Sequence, residues 1–509
     1  MNRVAIDEQV GRILTLDDSP VVDVIVQVDT GDDRDRIRLS RIANETNARR
    51  SAVSPRDMIP VGYEQLVEHA RSTRSKKAGA PSELRSQTIN RSKQKTSKPL
   101  TSLNDWQQEI VRPPMPTGAH DCQGQIDVSG ARRLQLTRDD LYRLVRHCPA
   151  VRSVYLNRSL SLPSFVRSRG TPRSVWDRRG HTWGLDRIGA MAAWGAFGAR
   201  GAGIKVAVLD TGIDATHPDL AGKVSQFAEF GRDGEIVREG VSNARDHVGH
   251  GTHVAATVAG GRASGAWIGV APDAQILAGG VLTDKGGTDL QILAGMQWAL
   301  EQEADIISMS LGGLSMTPEV MDTYTAMIDS ANLAGVPVII AIGNDGAQTS
   351  GAPGNDLLAF SVGATDNQDL AAGFSGGRTQ VVSVSSYFAP ETLPIIFSKP
   401  DVSAPGVEIF SALPDGKWET ASGTSMATPH VAGAMAILLS GLPRLRNLRG
   451  IDRVSILQDL LSSSVQPLGE SGQNHRFGFG RIDVLQAMGF GAELGYLDGK
   501  QRANRPPQD

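Results

Sequence analysis

The sequence predicts an α/β fold with a mostly parallel central sheet, preceded by a small α+β domain. Three features of the 509-residue chain carry that prediction. First, Ile204-Lys205-Val206-Ala207-Val208-Leu209 is a nearly unbroken apolar run ending in Asp210, and Gly335-Val336-Pro337-Val338-Ile339-Ile340-Ala341-Ile342-Gly343 ends in the same way at Asn344. Asp305-Ile306-Ile307-Ser308-Met309-Ser310-Leu311-Gly312 is a third such run. Apolar runs of this length suit central parallel strands covered on both faces, and in open α/β sheets ligand sites gather at the strands' carboxyl ends. Second, Val431-Ala432-Gly433-Ala434-Met435-Ala436-Ile437-Leu438-Leu439 reads as a buried helix. Third, the first third of the chain has a different pattern of alternation, charge and insertion.

In that first third, Val22-Asp23-Val24-Ile25-Val26-Gln27-Val28 alternates as a half-buried strand does. A charged helical stretch follows over residues 35–50. Leu134-Gln135-Leu136-Thr137 leads into a helix over 138–147, with Thr137 as its cap and Leu141, Leu144 and Val145 as its buried stripe. Val151-Arg152-Ser153-Val154-Tyr155-Leu156 closes the unit as a strand. Between these halves, residues 71–102 hold nine Lys or Arg against one acidic residue and are rich in Ser and Thr. That composition argues for a solvated or disordered insert, spanning about 71–120, that acts as a linker or protease-sensitive segment. A second basic linker, 164–180, carries Arg167, Arg169, Arg173, Arg178 and Arg179. The expected division is a tail (1–17), the small domain (18–163), the linker (164–180), the α/β body (181–491) and a polar tail (492–509).

Composition excludes several classes. The net charge is −3, so nothing global drives the chain toward nucleic acid. Cys122 and Cys148 are the only cysteines and both precede the body, which removes a disulfide framework and a cysteine or zinc–cysteine mechanism there. Met1-Asn2-Arg3-Val4-Ala5-Ile6-Asp7-Glu8 lacks a secretory apolar segment and no run reaches transmembrane length, so cytoplasmic residence is expected.

Three motifs carry chemistry. Ser422-Gly423-Thr424-Ser425-Met426-Ala427-Thr428-Pro429-His430 sets a serine at a helix start, where unpaired backbone N–H groups favour negative charge. Asp210 precedes Thr211-Gly212, where a plain turn-forming Asp is the alternative. Asp246-His247-Val248-Gly249-His250-Gly251-Thr252-His253 offers three histidines: His247 reads as solvent-facing, His253 as buried and hydrogen-bonded, and His250 as the candidate base. Serine is a weak nucleophile until a base accepts its proton, imidazole titrates near neutrality, and a carboxylate on the far ring nitrogen fixes the tautomer. Asp210, His250 and Ser425 supply those parts in that chain order.

With these motifs, the chain from about residue 183 to 488 resembles the subtilisin-like serine proteases. The resemblance implies the three-layer subtilisin-like fold and peptide hydrolysis through an acyl-enzyme. Asn344 would donate its amide to the oxyanion beside the Ser425 backbone N–H. Ser310, Leu311 and Gly312 would form an exposed edge that pairs with the substrate backbone. Ala341, Ile342, Gly343 and Ser350-Gly351-Ala352 would line an apolar pocket, with Asp345 at its mouth and Asp246 one subsite along unless both are surface acids. No cofactor is required for this chemistry. The family often holds structural calcium, and Asp219 in His217-Pro218-Asp219-Leu220 matches one ligand, yet Gly261-Arg262-Ala263-Ser264-Gly265-Ala266-Trp267 offers no carboxylate or side-chain amide to a hard cation. The first domain resembles the ferredoxin-like propeptide of these enzymes, an intramolecular inhibitor. By that likeness 157–163 would lie in the cleft, and the chain would cut itself between Leu160 and Arg179. The partners expected are a protein or peptide substrate, that inhibitory domain and an activating protein, with no nucleic acid and no membrane. A permanently inhibited, non-enzymatic scaffold is the rival reading. The stretch 381–398 is longer than compact members have, as a surface loop or a substrate-binding flap, and Lys399-Pro400-Asp401 and Gly478-Phe479-Gly480-Arg481 also resemble family stretches.

Overall fold

The computed structural model describes residues 5–6, 10, 21–28, 125–126, 131–147, 151–161, 166–168 and 180–497. The expected helix over 35–50 and the basic insert lie outside the described residues. In the small domain the strand Val22–Val28 lies between Ala131–Leu136 and Val151–Leu156, antiparallel to both. Its alternation divides it between two environments. Val22, Val24 and Val26 pack with Leu141 and Leu144 of the helix Arg138–His147, while Ile25 joins an apolar cluster of the large body. The helix starts as its sequence indicates: Thr137 Oγ1 accepts the Asp140 N–H at 3.3 Å, and Asp140 Oδ2 accepts the Thr137 N–H at 3.1 Å.

The body is built on an eight-stranded sheet. From one edge its strands run Ile236–Glu239, Val224–Phe230, Gln275–Gly280, Lys205–Asp210, Ile306–Met309, Val338–Ala341, Phe360–Thr365 and Val402–Pro405. Every neighbouring pair is parallel except the first, where Ile236–Glu239 runs antiparallel to Val224–Phe230. The three apolar runs picked from sequence fall on adjacent central strands. Side chains alternate between the faces: Val206, Val208, Ile306 and Ile339 pack with the helices His250–Ala259 and Thr424–Gly441. Ala207, Leu209, Ile307 and Ile340 pack with Asp289–Glu301 and Thr325–Leu333 on the other face. This second face also receives the small domain through Ile25 and Ala131.

The stretch over 381–398 is neither a free loop nor a flap over the cleft. Arg378–Val382 and Ile395–Lys399 form an antiparallel hairpin, and its connection meets the small domain. Tyr387 Oη donates to Gln27 Oε1 at 2.7 Å, Ser386 and Ser153 hydroxyls are 3.3 Å apart, and Arg152 stacks over the Tyr387 ring. Asp322, buried at this junction, accepts from the Tyr155 hydroxyl, from Ser385 Oγ at 2.7 Å and from the Ser386 N–H at 3.0 Å. Past the expected limit at 491, the helix Val484–Glu493 ends and the chain runs on to Tyr496 and Leu497, both buried.

Asp356 gives the body a pH dependence. It is buried, accepts Thr325 Oγ1 at 2.6 Å and the Leu358 N–H at 2.8 Å, and burial pushes its pKa up to about 6. The protonated form is the one the fold prefers, so its contribution to stability is fully present below the unfolded value near 3.8 and is lost as pH rises through about 6. The Thr325 hydroxyl can turn to accept from an amide. Asp356→Asn is therefore expected to raise the melting temperature at pH 8 more than at pH 5, a difference of about 1–2 kcal/mol in stability, because at pH 5 part of the loss has already occurred. Equal shifts at both pH values would contradict this.

Candidate active site

Asp210 ends its strand and His250 opens the following helix, and the two side chains meet with Nδ1 to Oδ1 at 2.7 Å, both fully buried. The contact depends on a close backbone approach. A Cβ on Gly251 would stand 2.1 Å from the Gly212 carbonyl oxygen, so the helix can press against the strand end only with glycine there. The helix start at Gly249 has no capping side chain of its own. Asp246 does that work. Its Oδ1 accepts Thr211 Oγ1 at 2.9 Å and the N–H groups of Val248 and Gly249 at 3.1 and 2.8 Å, while Oδ2 accepts the Thr252 N–H and hydroxyl at 2.8 and 2.7 Å. Thr211 Oγ1 accepts the Gly251 N–H at 2.9 Å, tying the same helix to the residue after Asp210. Asp246 is thus a buried brace, not a subsite or surface acid. Asp246 stands outside the ordinary cap position, which Gly249 holds, and no periodicity marks it or Thr211 in the sequence. His247 is exposed, and His253 is buried with Nε2 against the Ile409 and Glu419 carbonyls.

Ser425 lies in the first turn of Thr424–Gly441, buried. Pro429, four residues on, has no N–H, so the Ser425 carbonyl lacks its usual helical donor. Ser310 Oγ fills that place at 2.8 Å, and the Ser425 hydroxyl donates to the Ser310 carbonyl at 3.3 Å. The two serines lock the helix start to the end of a central strand. Asn344 follows the next strand, and its Oδ1 accepts both the N–H and the hydroxyl of Thr424, at 2.7 and 2.8 Å. Sequence reading did not single out Thr424, yet it decides which way the Asn344 amide faces.

Apart from Ser350–Ala352, the other expected contact residues lie at and after the ends of the same central strands. Ser310, Leu311, Ala341 and Ile342 have buried side chains, which leaves backbone as what they can offer a substrate. Gly343 approaches Gly351, whose N–H donates to the Ile342 carbonyl at 2.6 Å, and Gly312 faces the Ala352 carbonyl. Gly313–Ser315 pairs with Ser350–Ala352. Asp345 is exposed. The chain's own earlier segment enters here. Ser159–Leu160 pairs antiparallel with Gly287–Thr288, and a Cβ on Gly286 would stand 1.9 Å from the Leu160 carbonyl oxygen. The Leu160 side chain is buried against Gly313. Val166–Ser168 then pairs antiparallel with Thr420–Ser422, just before Ser425, so this part of the expected linker is a strand. The joining residues, 162–165, lie outside the described residues.

At Asp219, Oδ1 accepts the Ala263 N–H at 2.6 Å and Oδ2 accepts the Trp418 indole N–H at 2.7 Å. Both oxygens face N–H donors, a set that repels a cation. Among the described residues no group of three or more His, Cys, Asp or Glu side chains is placed to hold a metal.

A buried Asp–His pair, a serine at a helix start and an asparagine after a central strand are the residue types of a serine hydrolase. Residues 201–480 match the peptidase S8 subtilase family, and the chain belongs to it: it is a subtilisin-like serine endopeptidase. It is 38% identical over 294 residues to an intracellular serine protease of Paenibacillus polymyxa, covering 57% of this chain and 81% of that protein. To subtilisin E of Bacillus subtilis (strain 168) it is 36% identical over 310 residues, 60% of this chain and 70% of the relative. To the major intracellular serine protease of the same organism it is 39% identical over 259 residues, 50% and 74% of the two chains. No helix among the described residues is long and apolar enough to cross a membrane.

Proposed function

We propose that Ser425, His250 and Asp210 are the catalytic triad of an endopeptidase held in check by its own N-terminal domain. Ser425 Oγ attacks the scissile carbonyl carbon while His250 Nε2 takes the hydroxyl proton, and the Asp210 carboxylate at 2.7 Å from Nδ1 stabilises the imidazolium. The oxyanion is held by the Ser425 backbone N–H and the Asn344 amide. His250 returns the proton to the leaving amine, and water then hydrolyses the acyl-enzyme. The observation that carries the inhibitory part is the pairing of this segment with the body, Ser159–Leu160 with Gly287–Thr288 and Val166–Ser168 with Thr420–Ser422 just before Ser425. The strand order of the small domain, with Val22–Val28 inside and Ala131–Leu136 and Val151–Leu156 beside it, supports the ferredoxin-like propeptide reading. Self-cleavage falls between Leu160 and Arg179. Similarity to two proteases called intracellular supports a role inside the cell.

A fluorophosphonate probe tests the triad. The parent chain is expected to label, and Ser425→Ala and His250→Ala are not. The same gels read chain length: the parent shortens on storage and Ser425→Ala stays whole. Labelling that persists in both variants rejects the triad, and equal lengths reject self-cleavage.

We also propose that the Asp219 site works without calcium, because its carboxylate is already satisfied by Ala263 and Trp418. Adding a chelator is expected to leave the melting temperature within about 1 °C, since a metal bound only to the fold would stabilise it by mass action. A fall of several degrees, restored by added calcium, would reject this.

A further inference from the structure

The segment that enters the cleft is recognised beyond Leu160. Arg158 lies two residues earlier, and its side chain forks onto Asp289, with Nε to Oδ2 at 2.9 Å and Nη2 to Oδ1 at 3.2 Å. The backbones also join: the Arg158 N–H donates to Asp289 Oδ2 at 3.0 Å, and the Asp289 N–H donates to the Arg158 carbonyl at 3.2 Å. The Asp289 carboxylate is fully buried in this arrangement, while the Arg158 side chain keeps 27% of its exposure. Tyr324, itself buried, donates its hydroxyl to Asp289 Oδ1 at 2.6 Å and fixes the carboxylate's direction. Ser159 pairs with Thr288 and Leu160 with Gly287, so the basic and apolar side chains are held in register by one edge strand.

We propose that Asp289, aimed by Tyr324, is a specificity-determining seat for an arginine in the substrate, two residues before the apolar residue that fills the Leu160 position. This rests on the reading of the N-terminal segment as an occupant of the substrate cleft. A peptide laid along Gly287–Thr288 places its own side chains where Arg158 and Leu160 now lie. A guanidinium then meets a preorganised carboxylate with two parallel donors, which lysine, with a single point of charge, cannot reproduce. Glutamine loses the charge, and glutamate meets the like charge of the Asp289 carboxylate. The preferred substrate class is therefore an extended segment reading Arg-x-Leu or Arg-x-(large apolar) upstream of the cut, as the chain's own Arg158-Ser159-Leu160 does.

Two fluorogenic peptides test this, one carrying Asn-Arg-Ser-Leu and one with glutamine in place of the arginine. The full-length enzyme is expected to show a kcat/KM ratio of about tenfold in favour of the arginine peptide, the size of one charge-assisted interaction. The ratio does not depend on how much enzyme is occupied by its own N-terminal segment, because both peptides compete with the same occupant. Asp289→Asn is expected to bring the ratio close to one, and Tyr324→Phe to lower it part of the way. A purely structural role for Asp289 would slow both peptides by the same factor and leave the ratio intact, which would overturn the proposal. A ratio of one in the parent overturns it too, as does a parent that degrades casein but cuts neither peptide. Separately, hydrolysis of both peptides by Ser425→Ala at the parent's rate would reject the triad reading beneath it.

Discussion

Replacing Asn344 with leucine is expected to lower kcat by about 10²–10³ with little change in KM, the loss known for a subtilisin deprived of its side-chain oxyanion donor. The amide acts on charge that exists only in the transition state, so ground-state binding should be spared. The structure adds a second arm. Thr424 holds Asn344 Oδ1 through its N–H and its hydroxyl, at 2.7 and 2.8 Å. Thr424→Val keeps the first bond and the shape but loses the second. It should cost about tenfold in kcat, a fraction of the leucine effect, because the amide becomes free to turn. Steady-state kinetics on one peptide substrate measures both. If Asn344→Leu raises KM and spares kcat, the residue binds substrate and does not hold the oxyanion.

Removing the Asp246 brace is the second large effect expected. Its carboxylate collects five donors from Thr211, Val248, Gly249 and Thr252. Asp246→Asn offers one acceptor oxygen in place of two and turns an NH₂ toward N–H donors. Leaving such donors unmet costs about 1–3 kcal/mol each in a buried site, so a loss of roughly 2–4 kcal/mol in stability is expected. Catalysis should fall as well, because His250 opens the helix that Asp246 fixes and its ring must meet Asp210 within a narrow range. The expected signature is a drop in kcat/KM of about 10² together with a lower melting temperature. Stability that falls while kcat/KM holds would mean that the brace supports the fold alone.

The central strands and the three chemical motifs were legible because their signals are local. An apolar run needs burial on both faces, and a carboxylate or amide after it falls at the sheet edge, as Asp210 and Asn344 do. The cap at Thr137 was legible for the same reason. Asp246 does not stand out in the sequence because its five donors, three backbone N–H groups and the hydroxyls of Thr211 and Thr252, meet only in the folded loop and helix start. The hairpin Arg378–Val382 with Ile395–Lys399 was recognised as extra length, but its role depends on Gln27 and Ser153, far earlier in the chain. The pairing of Val166–Ser168 was hidden by arginines that suggested a solvated linker, since a strand crossing a cleft needs no apolar alternation of its own. Arg158 and Asp289 meet only through tertiary structure, and neither stands out alone.

The exchange between Ser310 and Ser425 has a consequence for the time at which activity appears during synthesis. The two residues are 115 positions apart, and each supplies what the other's backbone or side chain lacks. The Ser425 helix packs into a core whose walls come from both sides of it in the chain, Val206 and Val254 before it and Leu457 and Met488 after it. On the proposed triad, a nascent chain that has finished Asp210 and His250 therefore holds a base without a nucleophile. The core around the Ser425 helix closes only when the later helices Gly450–Ser463 and Val484–Glu493 have followed it. A chain that stops before those helices leaves part of this core unmade, whereas Val166–Ser168, which pairs with Thr420–Ser422 beside Ser425, is synthesised long before either.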